Sequence, residues 1–280
     1  MTTVALLGTG IMGAGMARSL ARAGLDVTVW NRSADKAMAL GLPVADDVAD
    51  AVRDKDVVVT MLFDAGSVAA VMRDALPAMG AHAVWVQTST VGLDGTEELA
   101  GLAAEHGVAY VDAPVLGTRQ PAENGQLTVL AAGPAAVRER IAPVLDGISA
   151  RTVWAGAEPG AGHRLKLVAN AWVLSLVAGT AQSVALAEGL GIDPRQFLGL
   201  IEGGPLDSGY AQLKGNAMLS GDFTTAFALS GATKDAGLIR AAAASAGVAT
   251  ELVAVMERLF ARAGDQDDDM AAVIRAIRPA

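Results

Sequence analysis

Residues 4–32, VALLGTGIMGAGMARSLARAGLDVTVWNR, constrain the fold of this chain more than any other stretch. Val4 to Leu7 form a short apolar run of the kind that makes a buried strand. Gly8, Gly10 and Gly13 follow in G-x-G-x-x-G spacing. An amphipathic run from Ile11 to Ala23 comes next and Gly24 closes it, after which Val27-Thr28-Val29-Trp30 reads as a second strand. Strand, glycine-rich turn, helix and strand in that order define the opening βαβ unit of a dinucleotide-binding fold. Each glycine has a physical job. Gly8 permits the tight turn, Gly10 lets the backbone approach a pyrophosphate, and Gly13 lets helix and strand pack closely. Free amides of the turn Gly8-Thr9-Gly10-Ile11-Met12-Gly13, at the positive end of the helix dipole, then hold the phosphates.

The end of the second strand selects the cofactor. A carboxylate there bonds the ribose 2′-OH of NAD and repels a 2′-phosphate. This chain has Asn31-Arg32-Ser33 instead. Arg32 offers a planar guanidinium matched to a phosphate, flanked by two hydrogen-bonding side chains. The expected cofactor is NADP(H), with NAD less favoured. The competing reading puts Arg32 on a solvated turn of an enzyme that uses either cofactor.

A chain of 280 residues has room for two domains. With 52% hydrophobic and 18% charged residues it is globular and not disordered. A net charge of −9 argues against nucleic acid as a partner, which calls for a basic face. The absence of cysteine excludes disulfides, thiolate catalysis and a zinc–thiolate site. No His/Asp/Glu cluster has metal-ligand spacing, so no metal is expected. The sequence opens at a strand without a signal-like segment, which predicts a cytoplasmic enzyme. Residues 167–187 carry no charge and are long enough to span a bilayer. Asn170, Ser175, Thr180, Gln182 and Ser183 interrupt them, so a helix buried in a core or between two subunits fits better than a membrane partner.

Strand-like runs recur at Val57–Leu62, Ala83–Gln87, Val108–Val111, Leu127–Ala131 and Thr152–Trp154, with helical patterns such as Thr96–His106 and Ala135–Leu145 between them. That alternation predicts a parallel-dominated sheet with helices on its faces. From His163 onward no strand is expected. Long Ala- and Leu-rich helical patterns are broken at Gly189–Pro194, Gly203–Pro205, Gly221-Asp222 and Gly264–Asp269. The acidic run Asp265–Asp269 reads as a solvated turn and the N-cap of the last helix. The expected class is α/β: a Rossmann-type, doubly wound parallel-sheet domain over residues 1–160. An all-α domain for substrate binding and dimerisation follows over residues 161–280.

Lys166 is the candidate catalytic residue. It follows the turn Gly160-Ala161-Gly162 and is the last cation before a long apolar run, near the end of a helix where the dipole disfavours it. Asn170 lies four residues on, on the same helical face. Reducing a carbonyl by hydride leaves an alkoxide, which a lysine ammonium stabilises and protonates. Asn170 would orient the lysine or the substrate oxygen. The competing reading is a surface lysine beside Arg164. His163 reads as a cofactor-side or structural residue, while His82 and His106 sit at exposed element ends.

Here the chain resembles the β-hydroxyacid dehydrogenase family, which includes 3-hydroxyisobutyrate dehydrogenases and glyoxylate/succinic semialdehyde reductases. The matching segments are GTGIMGAGMA at Gly8–Ala17, DAPVLGT at Asp112–Thr118, GAGHRLKLVAN at Gly160–Asn170 and the pair Lys234-Asp235. The resemblance implies that Lys166 is a proton donor with Asn170 beside it, and that Gly117 and Thr118 help bind substrate. It also implies that Lys234 meets the cofactor or the substrate's anionic end, and that Met61, Leu62 and Thr90 flank the nicotinamide. A homodimer or homotetramer built around the long helix follows from the same likeness.

Three positions depart from the family pattern. Leu116 stands where a serine is usual, which makes that side of the pocket more apolar, and Ala169 replaces the first asparagine of a pair. His163 stands where glutamine is more frequent. Residues Gly117–Leu127 look closest to the glyoxylate/succinic semialdehyde reductase branch. Arg119 either pairs with an anionic substrate group or is a solvated loop residue. The expected activity is NADPH-dependent reduction of a small aldehyde or keto acid. The alternatives are an imine reductase on the same scaffold, which Lys166 disfavours, and a non-catalytic NADP-binding module.

Overall fold

The computed structural model describes residues 1–278. The chain divides into two compact units, Met1–Lys166 and a second beginning at Leu167. The first unit runs β1 (Thr3–Leu7), α1 (Ile11–Arg22), β2 (Asp26–Trp30), α2 (Ala34–Met38), α3 (Val48–Val52), β3 (Val57–Thr60), α4 (Ala65–Ala75) and β4 (Val84–Gln87). It continues with α5 (Gly92–Glu105), β5 (Ala109–Asp112), β6 (Val115–Leu116), α6 (Arg119–Glu123), β7 (Leu127–Ala132), α7 (Arg138–Ile148) and β8 (Ser149–Gly156).

The strands form one sheet of order β2-β1-β3-β4-β5-β7-β6, with β8 pairing β7. From β2 to β5 every pairing is parallel. Beyond β2 a single parallel bridge joins Val29 to Val44, a one-residue remnant of a further strand. The chain therefore winds outward from β1 in both directions, in the doubly wound manner. Both faces of the sheet are covered. Val4, Leu6, Val57, Val59, Val84 and Val86 pack with Met16, Ala17 and Leu20 of α1 and Ile141, Val144 and Leu145 of α7. Ala5, Leu7, Val58 and Trp85 point the other way, onto Val68 and Met72 of α4 and Leu99 of α5. Burial on both faces is why these strands read as unbroken apolar runs rather than alternating ones. Each large aliphatic side chain so buried contributes about 1.5–3 kcal/mol.

Two features differ from the sequence expectation. Strand β7 runs antiparallel to β5 and β6, while β8 is parallel to β7. Helix α5 begins four residues before Thr96, at Gly92, whose carbonyl accepts the Thr96 hydroxyl at 2.6 Å.

The second unit is helical. Helix α8 (Ala161–Gly189) begins in the first unit and continues without a break into the second. It has the length and apolar character of a membrane span, and its stripe Leu174, Val177, Ala181 and Val184 is buried. Helices α9 (Pro194–Ile201), α10 (Gly209–Ser220), α11 (Leu229–Ser245) and α12 (Glu251–Ala261) follow, then a 3-10 turn at Met270–Ala276. The break between α11 and α12, at Gly247 with φ of +68°, was not anticipated. The acidic run also needs correction. Asp269 does cap the final turn, accepting from the Ala271 amide at 3.0 Å, but it is buried and not solvated. Lys214 of α10 reaches its carboxylate oxygens at 2.7 and 2.9 Å.

Candidate active site

The glycine-rich turn follows β1, where the winding of the sheet reverses. Gly8 has φ of +104°, and a Cβ there would lie 2.3 Å from the Met61 carbonyl oxygen. A Cβ on Gly13 would lie 1.9 Å from the Gly8 oxygen, so helix and turn close only on glycine. Gly10 has open space where its Cβ would be. It caps α1 without a side chain, leaving the amides at that helix end available to an anion. The Thr9 hydroxyl beside it is buried with no hydrogen-bond partner. These features fit the pyrophosphate of a dinucleotide.

Asn31 has a structural task. Its Oδ1 accepts from the Thr9 amide at 3.0 Å, and its Nδ2 donates to the Ser33 carbonyl at 3.0 Å. It therefore braces the turn against the end of β2. Arg32 and Ser33 are exposed. So is Lys36, on the first turn of α2, which the sequence reading missed. Its signal was the spacing N-R-S-x-x-K, which sets a second cation one turn beyond Ser33.

At the carboxyl ends of β3, β4 and β5 lies a buried polar cluster. Ser89 Oγ accepts from the Leu62 amide at 2.8 Å, and Gln87 exchanges hydrogen bonds with the Ser89 backbone at 2.6 and 3.0 Å. The Thr88 hydroxyl donates to the Thr60 carbonyl at 2.7 Å. The turn holding Met61 and Leu62 is thus fixed to the turn holding Thr90. Tyr110 stands edge-on to Trp85, with ring centroids 5.0 Å apart. Burial first, and the Asp112 carboxylate second, push its phenol well above the ordinary value.

The helix bearing Lys166 is anchored from β5. Asp112 Oδ2 accepts from the Gly160 amide at 2.9 Å and the His163 amide at 3.1 Å, so a strand residue caps the start of α8. Gly162 makes the approach possible: a Cβ there would meet the Leu130 oxygen at 2.3 Å. His163 Nδ1 lies 2.5 Å from Asp112 Oδ1, and its Nε2 accepts from the Val91 amide at 3.0 Å. Lys166 is 7% exposed, and its Nζ donates to the Val115 carbonyl at 2.7 Å. It is not the surface lysine of the competing reading; Arg164 is the exposed one.

The residues after Val115 form the expected substrate segment. Leu116 and Thr118 are half-buried, and Gly117 has φ of +127°. Arg119 is exposed and pairs with Glu123 one turn later at 3.4 Å.

In the second unit, Asn170 is 2% exposed and its Nδ2 donates to Asp235 Oδ2 at 2.6 Å. Lys234 Nζ lies 2.9 Å from Asp235 Oδ1. Asp235 thus joins Asn170 of α8 to Lys234 of α11. His82 and His106 are exposed. Among the described residues no cluster of His, Asp and Glu is placed to hold a metal.

Fold and glycine turn define a dinucleotide-binding scaffold, and comparison with known proteins gives the family. Residues 3–156 match the family described as the NAD binding domain of 6-phosphogluconate dehydrogenase. Residues 160–277 match the NAD-binding family of NADP-dependent 3-hydroxyisobutyrate dehydrogenase. The chain is 32% identical to glyoxylate/succinic semialdehyde reductase 2 of Arabidopsis thaliana, over 99% of this chain and 80% of that protein. Its structure superposes on Mycobacterium tuberculosis 3-hydroxyisobutyrate dehydrogenase, solved with L-serine, at a TM-score of 0.88 and 29% identity, covering 100% of both chains. An imine reductase from Myxococcus stipitatus shares the fold at a TM-score of 0.68 and 23% identity, covering 99% of this chain and 100% of that one. The chain belongs to the β-hydroxyacid dehydrogenase family of NAD(P)-binding oxidoreductases.

Proposed function

We propose that this chain is an NADP(H)-dependent reductase of small aldehyde or keto acids, interconverting them with the corresponding hydroxy acids. The observation that carries the reading is the burial of Lys166 with its Nζ held on the Val115 carbonyl at 2.7 Å. A buried ammonium fixed beside the segment Leu116-Gly117-Thr118 is placed to neutralise charge developing on a substrate oxygen.

A nicotinamide dinucleotide held at the Gly8–Gly13 turn would supply or accept the hydride. Lys166 stabilises the alkoxide and delivers the proton from Nζ. Asn170, held by Asp235 at 2.6 Å, orients the lysine or the substrate oxygen. Gly117 and Thr118 line the substrate's path, and Leu116 favours a substrate with an apolar portion. Lys234 serves the cofactor or the anionic end of the substrate. The turn Gly8–Gly13 would hold the pyrophosphate, and Met61, Leu62 and Thr90 would flank the nicotinamide. Arg32, Ser33 and Lys36 take the 2′-phosphate, supporting NADP(H) over NAD. Arg119 is the weakest of the substrate residues, since Glu123 already neutralises it.

The assembly in this reading is a homodimer or homotetramer in the cytoplasm. A groove of about 330 Å³ along α8, lined by Trp172, Leu176, Phe197, Ile201 and Leu206, offers a second copy an apolar seat. Trp172 is 66% exposed and Leu206 79% in the single chain, surface that a second α8 would cover.

A substrate panel with NADPH and with NADH tests the reading. It contains glyoxylate, succinic semialdehyde, methylmalonate semialdehyde, a 2-oxo phosphonate and a cyclic imine. Turnover of an acid or semialdehyde with NADPH supports it. Turnover of the imine alone would move the function to imine reduction, where the apolar Leu116 side chain is already suited.

A further inference from the structure

We propose that His163 is a positioning residue that locks the Lys166 helix and the Thr90 turn into one rigid unit. The proposal rests on the reductase reading above. Both ring nitrogens are committed. Nε2 accepts the Val91 amide proton at 3.0 Å, so it carries no proton of its own. Nδ1 therefore bears the ring proton and donates it to Asp112 Oδ1 at 2.5 Å. With His163 and Asp112 both at 0% exposure, neither nitrogen is open to solvent. The ring has no free lone pair and no transferable proton, which rules it out as an acid or base.

Its position gives it another task. His163 sits one helical turn before Lys166 on α8. Val91 directly follows Thr90, at the N-cap of α5. Asp112 ends β5 and caps α8 through the Gly160 and His163 amides. The Ser89 hydroxyl extends the connection to the Leu62 amide at 2.8 Å. One flat ring thus ties the lysine-bearing helix to β5 and to the turn holding Thr90, and Ser89 links that turn to the one holding Leu62. Hydride donor and proton donor must meet one carbonyl from two directions. A displacement of an ångström between them costs on the order of a hundredfold in rate. Rigid tethering of the lysine helix to the nicotinamide turns prevents that displacement.

The two arms can be cut separately. His163→Asn puts an amide donor near the Nδ1 position and keeps the Asp112 arm. His163→Gln puts an acceptor near the Nε2 position and keeps the Val91 arm. His163→Ala cuts both. The first readout needs no turnover: ring ¹⁵N shifts and Val91 amide exchange in the cofactor-free protein. With three histidines in the chain, the variants assign the His163 signals. The expected result is a protonated Nδ1, a bare Nε2, and a Val91 amide that exchanges faster in Ala and Asn than in wild type or Gln. The second readout is kcat with the primary deuterium isotope effect, using NADPH labelled at the transferred hydrogen. His163→Ala should lose about 10- to 100-fold in kcat with a raised isotope effect. Asn and Gln should fall between Ala and wild type. A protonated Nε2 overturns the proposal. So does a variant that melts earlier but keeps wild-type kcat per folded molecule and an unchanged isotope effect. If wild type reduces no carbonyl in the panel, the reductase reading fails, while tautomer and exchange still decide the linkage.

Discussion

Lys166 and Val115 stand 51 residues apart in the chain and share one hydrogen bond, Nζ to carbonyl oxygen at 2.7 Å. The bond sets the register between two segments that the sequence assigns to one task. Val115 opens the short strand β6, and the residues after it are the proposed substrate segment. The ammonium is anchored by the backbone just before Leu116-Gly117-Thr118, so a shift of that backbone is felt at Nζ.

Gly162→Ala tests how closely the lysine helix must approach the sheet. The added Cβ would lie 2.3 Å from the Leu130 oxygen, backbone that cannot swing aside. The helix start must shift, and overpacking of this kind costs about 1–3 kcal/mol. The expected outcome is a lower urea midpoint together with a loss of kcat larger than the loss of folded protein. Urea titration and turnover on the same sample check it.

Arg32→Ala tests cofactor choice. A hydrogen bond between an arginine and a phosphate contributes about 1.5–3 kcal/mol. The KM for NADPH should rise roughly 10- to 100-fold by that measure, while the KM for NADH stays near its wild-type value. Lys36→Ala should act in the same direction with smaller effect. Steady-state kinetics with both cofactors give the answer, and equal losses for NADPH and NADH would remove the phosphate from the account.

Lys214→Met probes the buried pair with Asp269, each residue 3% exposed. Removing one partner of a buried pair costs about 3–5 kcal/mol, because the other charge stays behind. Asp269 would retain the amides of Ala226, Phe227 and Ala271. Lys214→Met combined with Asp269→Asn should therefore recover part of the loss, since the unpaired buried charge is gone and the single amide oxygen still accepts from Ala226 and Phe227. Denaturant unfolding of single and double variants measures it.

Tyr110 carries an alkaline signature. Its phenol is held neutral by burial and by the Asp112 carboxylate, with a folded-state pKa well above the ordinary value. The folded chain then binds one more proton than the unfolded chain above about pH 10. Its contribution is complete below that pH and is lost as pH rises, by at most about 1.4 kcal/mol per pH unit. Tyr110→Phe should flatten the decline of unfolding free energy above about pH 10 relative to wild type.

The sheet and the glycine turn were legible because their signals are local. Val57-Val58-Val59 reads as a strand buried on both faces from composition alone, and Gly8, Gly10 and Gly13 are fixed by their spacing. Strand direction is not written in periodicity, so the antiparallel entry of β7 was missed, and β6 is two residues long, too short for a period. The gap before α12 was hidden in the alanine-rich run around Ala241–Ala246, where Gly247 gave the only interruption. That Lys166 is no surface lysine was legible from its place before the apolar run. The capping of α8 by Asp112 and the pairing of Asp269 with Lys214 were not, because each depends on a partner more than 40 residues away. Position alone sets Asn31 beside Arg32 as a hydrogen-bonding neighbour, whereas its side chain is engaged with Thr9 and Ser33.

The most direct test of the central claim compares wild type with Lys166→Ala on the best substrate of the panel, following loss of the reduced cofactor. Binding of NADPH is measured alongside, to show that the variant still folds and loads. The account predicts near-normal binding and turnover reduced by about a hundredfold or more, as general-acid catalysis is lost. Turnover by Lys166→Ala equal to wild type would contradict it and remove Lys166 as the proton donor.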